Sequence, residues 1–295
     1  MLVELLRDPA LDRFGVGWQD SENAIVGRFW RTMGLRSYSI TIKMPLPDGL
    51  TIIVPTLNEA ENIQPLLTRI FRQDLGAVTI QVLFVDDGSI DGTCDCIRNL
   101  AKTQLAVSLL QRQQPTGGLA GAVLDGALAT SNRWILVMDA DLSHPPEAIG
   151  SLVAPLLDRS QDMVIGSRYT LGGRTPGWPW WRRLGSRMAC LLAWPLTRLH
   201  DPLSGFFATE RETLIQCKGR AVGFKIALEL VVNAAREFRV KEIPIVFRDR
   251  ERGVSKMRFV ILFTYLLRLV ILSLQCAWRD PISTRQCGRS LRTPR

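Results

Sequence analysis

Two carboxylates that follow a short apolar run are the residues of this sequence best suited to bind a metal ion. The run from Trp134 to Met138 has the length and composition of a buried strand, and Asp139 and Asp141 come directly after it. Residues i and i+2 of an extended chain point the same way, so the two charges repel unless a cation joins them. Oxygen ligands favour Mg²⁺ or Mn²⁺. A plain strand end followed by a capped helix with a Pro-Pro start fits the same residues.

Two further polar clusters follow predicted strands nearer the start of the chain. Asn58 and Glu59 come after the strand predicted at 50–54, and Asp86 and Asp87 end the strand predicted at 78–85. A carboxylate at a strand end can accept a hydrogen bond from a nucleobase N–H or a ribose hydroxyl. The alternative is structural, with a capped helix start in the first cluster and an Asp-Gly turn in the second.

The elements that position these clusters alternate between strands and helices. Further strands are predicted at 107–110 and 163–166, with helices at 59–71, 91–102 and 117–129 between them. This order predicts an α/β fold with a mainly parallel sheet and helices on both faces. Ligands of such sheets bind beyond the carboxyl ends of the strands, where all three clusters fall. We therefore predict a nucleoside-diphosphate site without a Gly-Lys phosphate loop, in which a metal neutralises the leaving diphosphate.

Seven motifs follow one another between about residues 50 and 258. The motifs are Val-Pro-Thr-Leu-Asn-Glu (54–59), Val-Asp-Asp-Gly-Ser-x-Asp-Gly-Thr (85–93), Asp-Ala-Asp-Leu-Ser-His-Pro (139–145), Gly-Ser-Arg-Tyr (166–169), Asp-Pro-Leu-Ser-Gly-Phe-Phe (201–207), Gly-Phe-Lys-Ile-Ala-Leu-Glu-Leu (223–230) and Arg-x-x-Gly-x-Ser-Lys (250–256). Together they resemble the inverting GT-A glycosyltransferases, and within that class they are most similar to the dolichyl-phosphate mannosyltransferase (polyprenol monophosphomannose synthase) group. The resemblance implies a GT-A (Rossmann-like) fold and transfer of mannose from GDP-mannose to a polyprenyl (dolichyl-type) monophosphate.

The resemblance also implies roles for single residues. It places Asp139, Asp141 and Ser143 around the metal and the diphosphate. Positions near the acceptor phosphate or the donor are matched by Arg168, Arg182, Ser186 and Arg250, and we predict Asp141, Arg168 and Arg250 as catalytic residues. The remaining predicted substrate-binding residues are Pro55, Asn58, Glu59, Asp86 and Asp87 at the nucleoside, and Lys256 in a loop that closes over the nucleotide.

Three positions depart from the pattern of this group. Leu57 stands where the group often has tyrosine, Thr116 where it has a basic residue, and Ala120 where it has a second loop glycine. Two other hypotheses therefore stay open. One is a polyprenyl-phosphate glucosyltransferase that uses UDP-glucose, and the other is a membrane-bound scaffold that binds nucleotide sugar without turnover.

The proposed acceptor explains why the sequence offers no evident general base. A phosphate monoester has a second pKa of about 6, so at neutral pH it is largely a dianion that can attack a sugar carbon directly. His144 is predicted to be a turn or helix-start residue rather than a catalyst. The remaining task is positioning and charge stabilisation, for which arginine side chains and a serine near a helix start are suited.

Composition limits the choice of partners. The chain has 295 residues, a net charge of +9 and six scattered cysteines. The basic balance suits an anionic partner, but the charge is not interleaved with stacking aromatics, which disfavours nucleic acid. The absence of a disulfide framework fits a reducing cytoplasm, so we predict that the catalytic domain lies on the cytoplasmic side. We also predict that the protein is membrane-associated, with this domain on the cytoplasmic face of the membrane.

The membrane prediction rests on two segments. Trp178, Trp180 and Trp181 adjoin basic residues, a pattern of interfacial helices, although an ordinary core helix fits as well. The segment 259–278 is long enough to span a bilayer, but Arg268 lies on a polar stripe near its middle and favours an interfacial helix. We predict four parts: a poorly defined leader (1–48), a catalytic domain (49–257), a C-terminal amphipathic, membrane-associated helix (258–278) and a basic tail (279–295) that attracts anionic lipid.

Overall fold

A computed structural model describes most of the chain beyond residue 48 and three short strands before it. The described residues are 17–21, 24–28, 39–43, 49–216, 225–234, 237–249 and 259–277. The chain divides into a unit Met1–Pro47 and a unit Asp48–Arg295. In the first unit, where the sequence predicts only a poorly defined leader, three strands form an antiparallel sheet in the order β1 (Gly17–Ser21), β2 (Ala24–Arg28) and β3 (Ser39–Lys43).

The second unit is built on a seven-stranded sheet with helices between the strands. Its strands are β4 (Leu50–Thr56), β5 (Ile80–Asp86), β6 (Val107–Gln111), β7 (Trp134–Val137), β8 (Met163–Ser167), β9 (Phe207–Glu210) and β10 (Val240–Pro244). The described helices are α1 (Ala60–Ile70), α2 (Thr93–Thr103), α3 (Gly118–Ala129), α4 (Ile149–Leu157), α5 (Trp180–Thr197), α6 (Arg211–Gln216), α7 (Ile226–Asn233) and α8 (Phe259–Ala277), with a 3₁₀ turn at Pro146–Ala148 before α4.

The sheet is mainly parallel, as the sequence predicts. Its order is β10-β8-β9-β7-β4-β5-β6, and β9 alone among these seven strands runs antiparallel to its neighbours. Five of the strands were expected from their apolar runs. The two that were not expected lack such a run: β9 has four residues, Phe-Ala-Thr-Glu, and β10 is the edge strand Val-Lys-Glu-Ile-Pro.

Helices cover both faces of the sheet. Alternate residues of β4 point to opposite faces, so Ile52 packs in one cluster with α1, α2 and α4. Ile53 packs in a second cluster with α3, α6 and α7. The polar groups at the strand ends are therefore carried by strands that are packed on both sides.

The helix α8 packs against the rest of the second unit through one face. Tyr265, Leu269 and Leu272 are buried in a third cluster with residues of α5 and α7. Arg268 donates from Nε and Nη2 to the carboxylate of Glu229 on α7, at 2.6 and 2.8 Å. Arg268, which the sequence places on a polar stripe of this helix, therefore uses its charge inside the fold.

The outward face of α8 is largely apolar. The exposed large apolar residues along its described side chains are Leu266, Leu267, Val270 and Leu274. No helix in the described part of the chain is both long and apolar enough to cross a membrane.

Candidate active site

The three polar clusters lie together at the carboxyl edge of the sheet. Parallel pairing places Thr56 beside Asp86 and Ile53 beside Val137, so the chain segments that follow β4, β5 and β7 leave the sheet side by side. The register of these parallel strands, rather than any contact along the sequence, brings the predicted residues to one edge.

Asp86 holds the loop that follows β5. It is fully buried, and its carboxylate accepts hydrogen bonds from the backbone N–H of Gly88 and Ser89, both at 3.0 Å, and from the Ser89 hydroxyl. Burial acts to raise the pKa of Asp86, but the hydrogen bonds from Ser89, Cys94 and Gly88 together outweigh it and hold this pKa below its usual value. In the described chain the carboxylate of Asp86 therefore serves the loop itself.

Asp87 is oriented by an arginine that the sequence analysis missed. Nη1 of Arg112 donates to Asp87 at 2.7 Å, and its Nε donates to Asp125 at 2.8 Å. The third nitrogen, Nη2, donates to the carbonyl of Thr116, in the loop whose basic residue this sequence lacks. Arg112 directly follows β6 and thus lies at the same sheet edge, a signal that was available from the sequence.

Asn58 and Glu59 join the loops that follow β4 and β5. The side-chain oxygen of Asn58 accepts from the N–H of Ile90 at 2.9 Å, and Asn58 has the left-handed φ of 60°. Glu59 precedes α1 and accepts from the Asn62 side chain at 2.6 Å. Both predicted residues therefore have structural contacts at this edge, and Pro55 lies half-buried in β4 next to them.

Asp139 and Asp141 lie in the tight loop beyond β7. Asp141 is 4% exposed, and its carboxylate accepts a hydrogen bond from the Ser143 N–H at 3.1 Å. Leu142, which lies between Asp141 and Ser143, has a φ of 62°. The N–H of Asp139 donates to Nδ1 of His144 at 3.0 Å. His144 is 2% exposed and stacks on Phe206, and burial lowers its pKa. The buried ring of His144 is thus a neutral hydrogen-bond acceptor, in agreement with its predicted structural role.

This loop offers hard oxygen ligands for a cation. The side chain of Asp139 is 37% exposed, and the hydroxyl oxygen of the buried Ser143 has no hydrogen-bond partner within the described chain. No group of three His, Cys, Asp or Glu residues in the described ranges comes together as a metal site. Two carboxylates and a hydroxyl nevertheless match the oxygen chemistry of Mg²⁺ or Mn²⁺, which are usually completed by water and phosphate oxygens.

The predicted arginines form a second part of the site. Arg168 pairs with Asp201, and Arg182 pairs with Asp249 through its Nη1 at 2.6 and 2.9 Å. Both guanidinium groups lie over the ring of Trp178, with carbon-to-centroid distances of 5.6 Å for Arg168 and 4.0 Å for Arg182. Trp178 thereby brings together two residues that are 14 positions apart in the sequence.

Trp178 itself is a buried residue, not an interfacial one. It is 5% exposed, and its indole N–H has no hydrogen-bond partner among the described residues. Phe247 packs edge-on against both Trp178 and His144, at 5.4 and 5.3 Å between ring centroids. This aromatic chain connects the arginines to the loop of Asp139.

Three predicted residues remain, of which the structure describes one. Ser186 is half-buried on the second turn of α5, and its neighbour Arg187 lies over the ring of Tyr169 at 5.5 Å. Arg250 and Lys256 lie outside the described residues.

Two ionisable residues near Arg168, the buried Asp201 and the half-buried Lys225, were not assigned a role from the sequence. Asp201 is fully buried, and Lys225 donates from Nζ to the carbonyl of Leu203 at 3.2 Å. Burial lowers the pKa of Lys225, with Arg168 acting in the same direction. Both residues belong to motifs that carry the resemblance, which was the available signal for them.

Solved structures with the same architecture show the class of fold. Glucosyl-3-phosphoglycerate synthase from Mycobacterium tuberculosis, in complex with Mn²⁺, UDP and phosphoglyceric acid, is similar with a TM-score of 0.57 and 21% identity, over 80% of this chain and 81% of that chain. A mannosyltransferase from Pyrobaculum calidifontis, in complex with GDP-Man and Mn²⁺, gives a TM-score of 0.55 and 22% identity, over 78% of this chain and 64% of that chain. These similarities confirm the predicted GT-A-like fold.

The chain belongs to glycosyl transferase family 2, whose model matches residues 51–222. It is 38% identical to the dolichol-phosphate mannosyltransferase of Saccharomyces cerevisiae, over 74% of this chain and 85% of that protein. It is 35% identical to the polyprenol monophosphomannose synthase of Mycolicibacterium smegmatis, over 70% and 80%. The match to the Pyrococcus furiosus dolichol-phosphate mannosyltransferase, at 37% identity, covers 74% of this chain and 61% of that protein's length. The resemblance inferred from the motifs is thereby confirmed.

Proposed function

We propose that this protein transfers mannose from GDP-mannose to a polyprenyl monophosphate, with inversion at the sugar carbon. The observation that carries the proposal is the pairing of two sites on one unit. An oxygen-rich loop holds Asp139, Asp141 and Ser143, and an aromatic chain connects it to the arginines on Trp178. The relatives named as dolichol-phosphate mannosyltransferases support the choice of donor and acceptor.

We infer that Asp139, Asp141 and Ser143 hold a divalent cation, Mg²⁺ or Mn²⁺. The Ser143 hydroxyl, which has no hydrogen-bond partner among the described residues, and the buried carboxylate of Asp141 support this assignment. When bound, the cation stabilises the negative charge of the leaving diphosphate. Of the two fold neighbours described above, one holds Mn²⁺ with UDP and the other holds Mn²⁺ with GDP-Man, which supports a divalent cation in general.

The nucleoside of the donor is assigned to the loops that follow β4 and β5. Asp87 is held by Arg112, so its carboxylate is already oriented before a ligand arrives. Pro55, Asn58 and Glu59 border the same edge, whereas Asp86 acts indirectly by shaping the loop of Asp87.

The acceptor phosphate is assigned to Arg168 and Arg182, together with Ser186 and with Arg250, which lies outside the described residues. Both guanidinium groups lie over the ring of Trp178, whose indole N–H has no hydrogen-bond partner among the described residues, and this supports an anion at this place. A phosphate dianion attacks without a base, and His144 is not available as one because its Nδ1 accepts a hydrogen bond from Asp139. Arg168 and Arg182 therefore position the nucleophile and offset its charge.

The surface that contacts the membrane carrying the lipid substrate is assigned to α5 and α8. Their outward sides expose large apolar residues, among them Trp180 at 74%, Trp181 at 57% and Leu191 at 59% on α5. Both helices share the third apolar cluster, so these sides belong to one packed unit. We propose that this unit rests on a membrane surface with the catalytic domain on the cytoplasmic face, an environment that also suits its free thiols.

The test of the function is sugar transfer by purified protein in detergent. Polyprenyl phosphate and Mn²⁺ or Mg²⁺ are combined with radiolabelled GDP-mannose or UDP-glucose in separate reactions, and the label extracted into organic solvent is counted. We expect transfer from GDP-mannose. Transfer from UDP-glucose alone would replace the proposal with a glucosyltransferase, and nucleotide binding without any transfer would indicate a scaffold.

A further inference from the structure

We propose that Asp201 is a positioning residue that fixes the guanidinium of Arg168 for the acceptor phosphate, an inference that rests on the proposed function. Asp201 accepts three hydrogen bonds from this one residue. The backbone N–H of Arg168 donates to Oδ2 at 2.9 Å, its Nε donates to Oδ2 at 2.7 Å, and its Nη2 donates to Oδ1 at 2.6 Å. Main chain and side chain of Arg168 are thus held by a single carboxylate.

Because Arg168 is buried, its guanidinium depends on the ion pair with Asp201 to keep its position. The side chain of Arg168 is 11% exposed and that of Asp201 is 0% exposed. The guanidinium carbon lies 5.3 to 5.6 Å from the ring centroids of Tyr169, Trp178 and Phe247. A buried cation among aromatic rings needs a close counter-charge, since water does not reach it freely.

The sheet in turn fixes Asp201. Its backbone N–H donates to Oε1 of Glu242 on β10 at 2.7 Å, and the N–H of His200 donates to Oε2 of the same carboxylate at 2.8 Å. The position of Asp201 is therefore set by a strand rather than by a loop alone. A chain of hydrogen bonds thus links β10, through Glu242 and Asp201, to the guanidinium of Arg168.

This arrangement decides which donors of Arg168 remain for a ligand. A guanidinium has five N–H groups, and Asp201 engages the edge formed by Nε and Nη2. The terminal edge of Nη1 and Nη2 is left as the two-pronged donor for a phosphate. Arg182 differs, because its partner Asp249 has a 47% exposed side chain and can give way to a ligand. Asp201 thus supplies a permanent orientation, whereas Asp249 forms an exchangeable contact.

The test compares Asp201→Asn with the parent in the transfer assay, with acceptor and donor varied separately. We expect kcat/KM for polyprenyl phosphate to fall about 100-fold, the effect typical of a misplaced binding group. The affinity for GDP in the presence of Mn²⁺, measured by calorimetry, should stay unchanged. A purely structural defect would lower both, so the split between acceptor and donor identifies a positioning role.

A double variant tests whether Asp201 acts through Arg168. If it does, Asp201→Asn combined with Arg168→Ala should be no less active than Arg168→Ala alone, because the two residues act as one unit. A further loss in the double variant, or parental acceptor kinetics in folded Asp201→Asn, would overturn the inference.

The chain offers a matched control in Asp162→Asn. Asp162 accepts the same three kinds of hydrogen bond from Arg239, namely from its backbone N–H at 2.8 Å and from Nε and Nη2 at 3.1 Å each. This pair lies at the opposite end of β8 and is exposed, so activity should stay within about twofold of the parent.

Two further outcomes keep the test decisive. If Asp201→Asn does not fold, Asp201→Glu keeps the charge and moves the carboxylate by one methylene. Reduced acceptor kcat/KM is then expected, and parental kinetics would refute the role of Asp201. A parent that transfers no sugar from either donor would overturn the proposed function and this inference with it. An active parent with an equally active Asp201 variant would overturn this inference alone, so the two failures are distinguishable.

Discussion

Asp141 carries the first prediction at the scale of single residues. Its carboxylate is buried at the centre of the proposed cation site. We expect Asp141→Ala to lower transfer by about 1,000-fold or more, because the diphosphate then leaves without the charge of the cation. Label transfer measured across a range of Mn²⁺ and Mg²⁺ concentrations checks this, with Asp158→Ala on the surface after α4 as the control. Near-parental activity of Asp141→Ala in either metal would refute the cation assignment.

The second residue-scale prediction concerns Asp249, whose substitution is expected to improve acceptor binding rather than to lower activity. The carboxylate of Asp249 accepts hydrogen bonds from Nη1 of Arg182, so an incoming phosphate competes with it for this guanidinium. Exposed pairs of this kind contribute about 0.2–1 kcal/mol, so Asp249→Asn should lower KM for polyprenyl phosphate by up to about fivefold. Steady-state kinetics with acceptor varied at saturating donor measures the change. An increased KM would mean that Asp249 helps to hold the acceptor.

At the scale of elements, the loop from Asp86 to Thr93 is predicted to weaken in acid. The pKa of Asp86 is lower in the folded protein than in the unfolded chain, so the ionised carboxylate stabilises the fold. This contribution is fully present above about pH 5 and is lost as the pH falls through the lowered folded pKa. The gap in unfolding free energy between the parent and Asp86→Asn, obtained from urea titrations at several pH values, should therefore close in acid. A gap that stays constant with pH would contradict the assignment.

The second element-scale prediction concerns the attachment of α8. The carboxylate of Glu229 has a 3% exposed side chain and is paired with Arg268. Arg268→Met leaves a buried charge without this partner and should destabilise the protein by about 3 kcal/mol. Arg239→Met removes an exposed pair and should cost less than about 1 kcal/mol. Equal losses in the two variants, measured by urea unfolding, would show that the pair does not secure α8.

At the scale of the whole catalytic unit, the apolar sides of α5 and α8 predict binding to vesicles. Val270 is 56% exposed on α8, and Val270→Asp should weaken partition into vesicles of phosphatidylcholine and phosphatidylglycerol by about tenfold or more, since a buried valine is stabilised by roughly 1.5–3 kcal/mol. Leu105, which is 99% exposed after α2, provides the control as Leu105→Asp. Flotation on a density gradient gives the partition coefficients. Equal effects of the two substitutions would exclude this face as the docking surface.

The sequence by itself determined the repeating strand–helix order and most of the strand ends. Strands β4, β5 and β7 are visible in the sequence as continuous apolar runs rather than as an alternating pattern, because both faces of these strands are covered. The carboxylates after these runs identified the edge of the sheet. Strands β9 and β10 were missed because one is very short and the other is a polar edge strand, and neither has a distinctive pattern of its own.

Only the tertiary structure decided which charges are free and which are used inside the fold. Local sequence does not show that Asp86 is consumed by its own loop, that Arg112 orients Asp87, or that Asp201 holds Arg168. The same holds for Arg268, whose place in the middle of an apolar helix suggested a polar stripe but whose partner is 39 residues away. Residue types and spacing set the chemistry that is available at the sheet edge. The pairing of buried charges over long separations depends on packing, because the partner of a buried charge is chosen by distance in space and not by position in the chain.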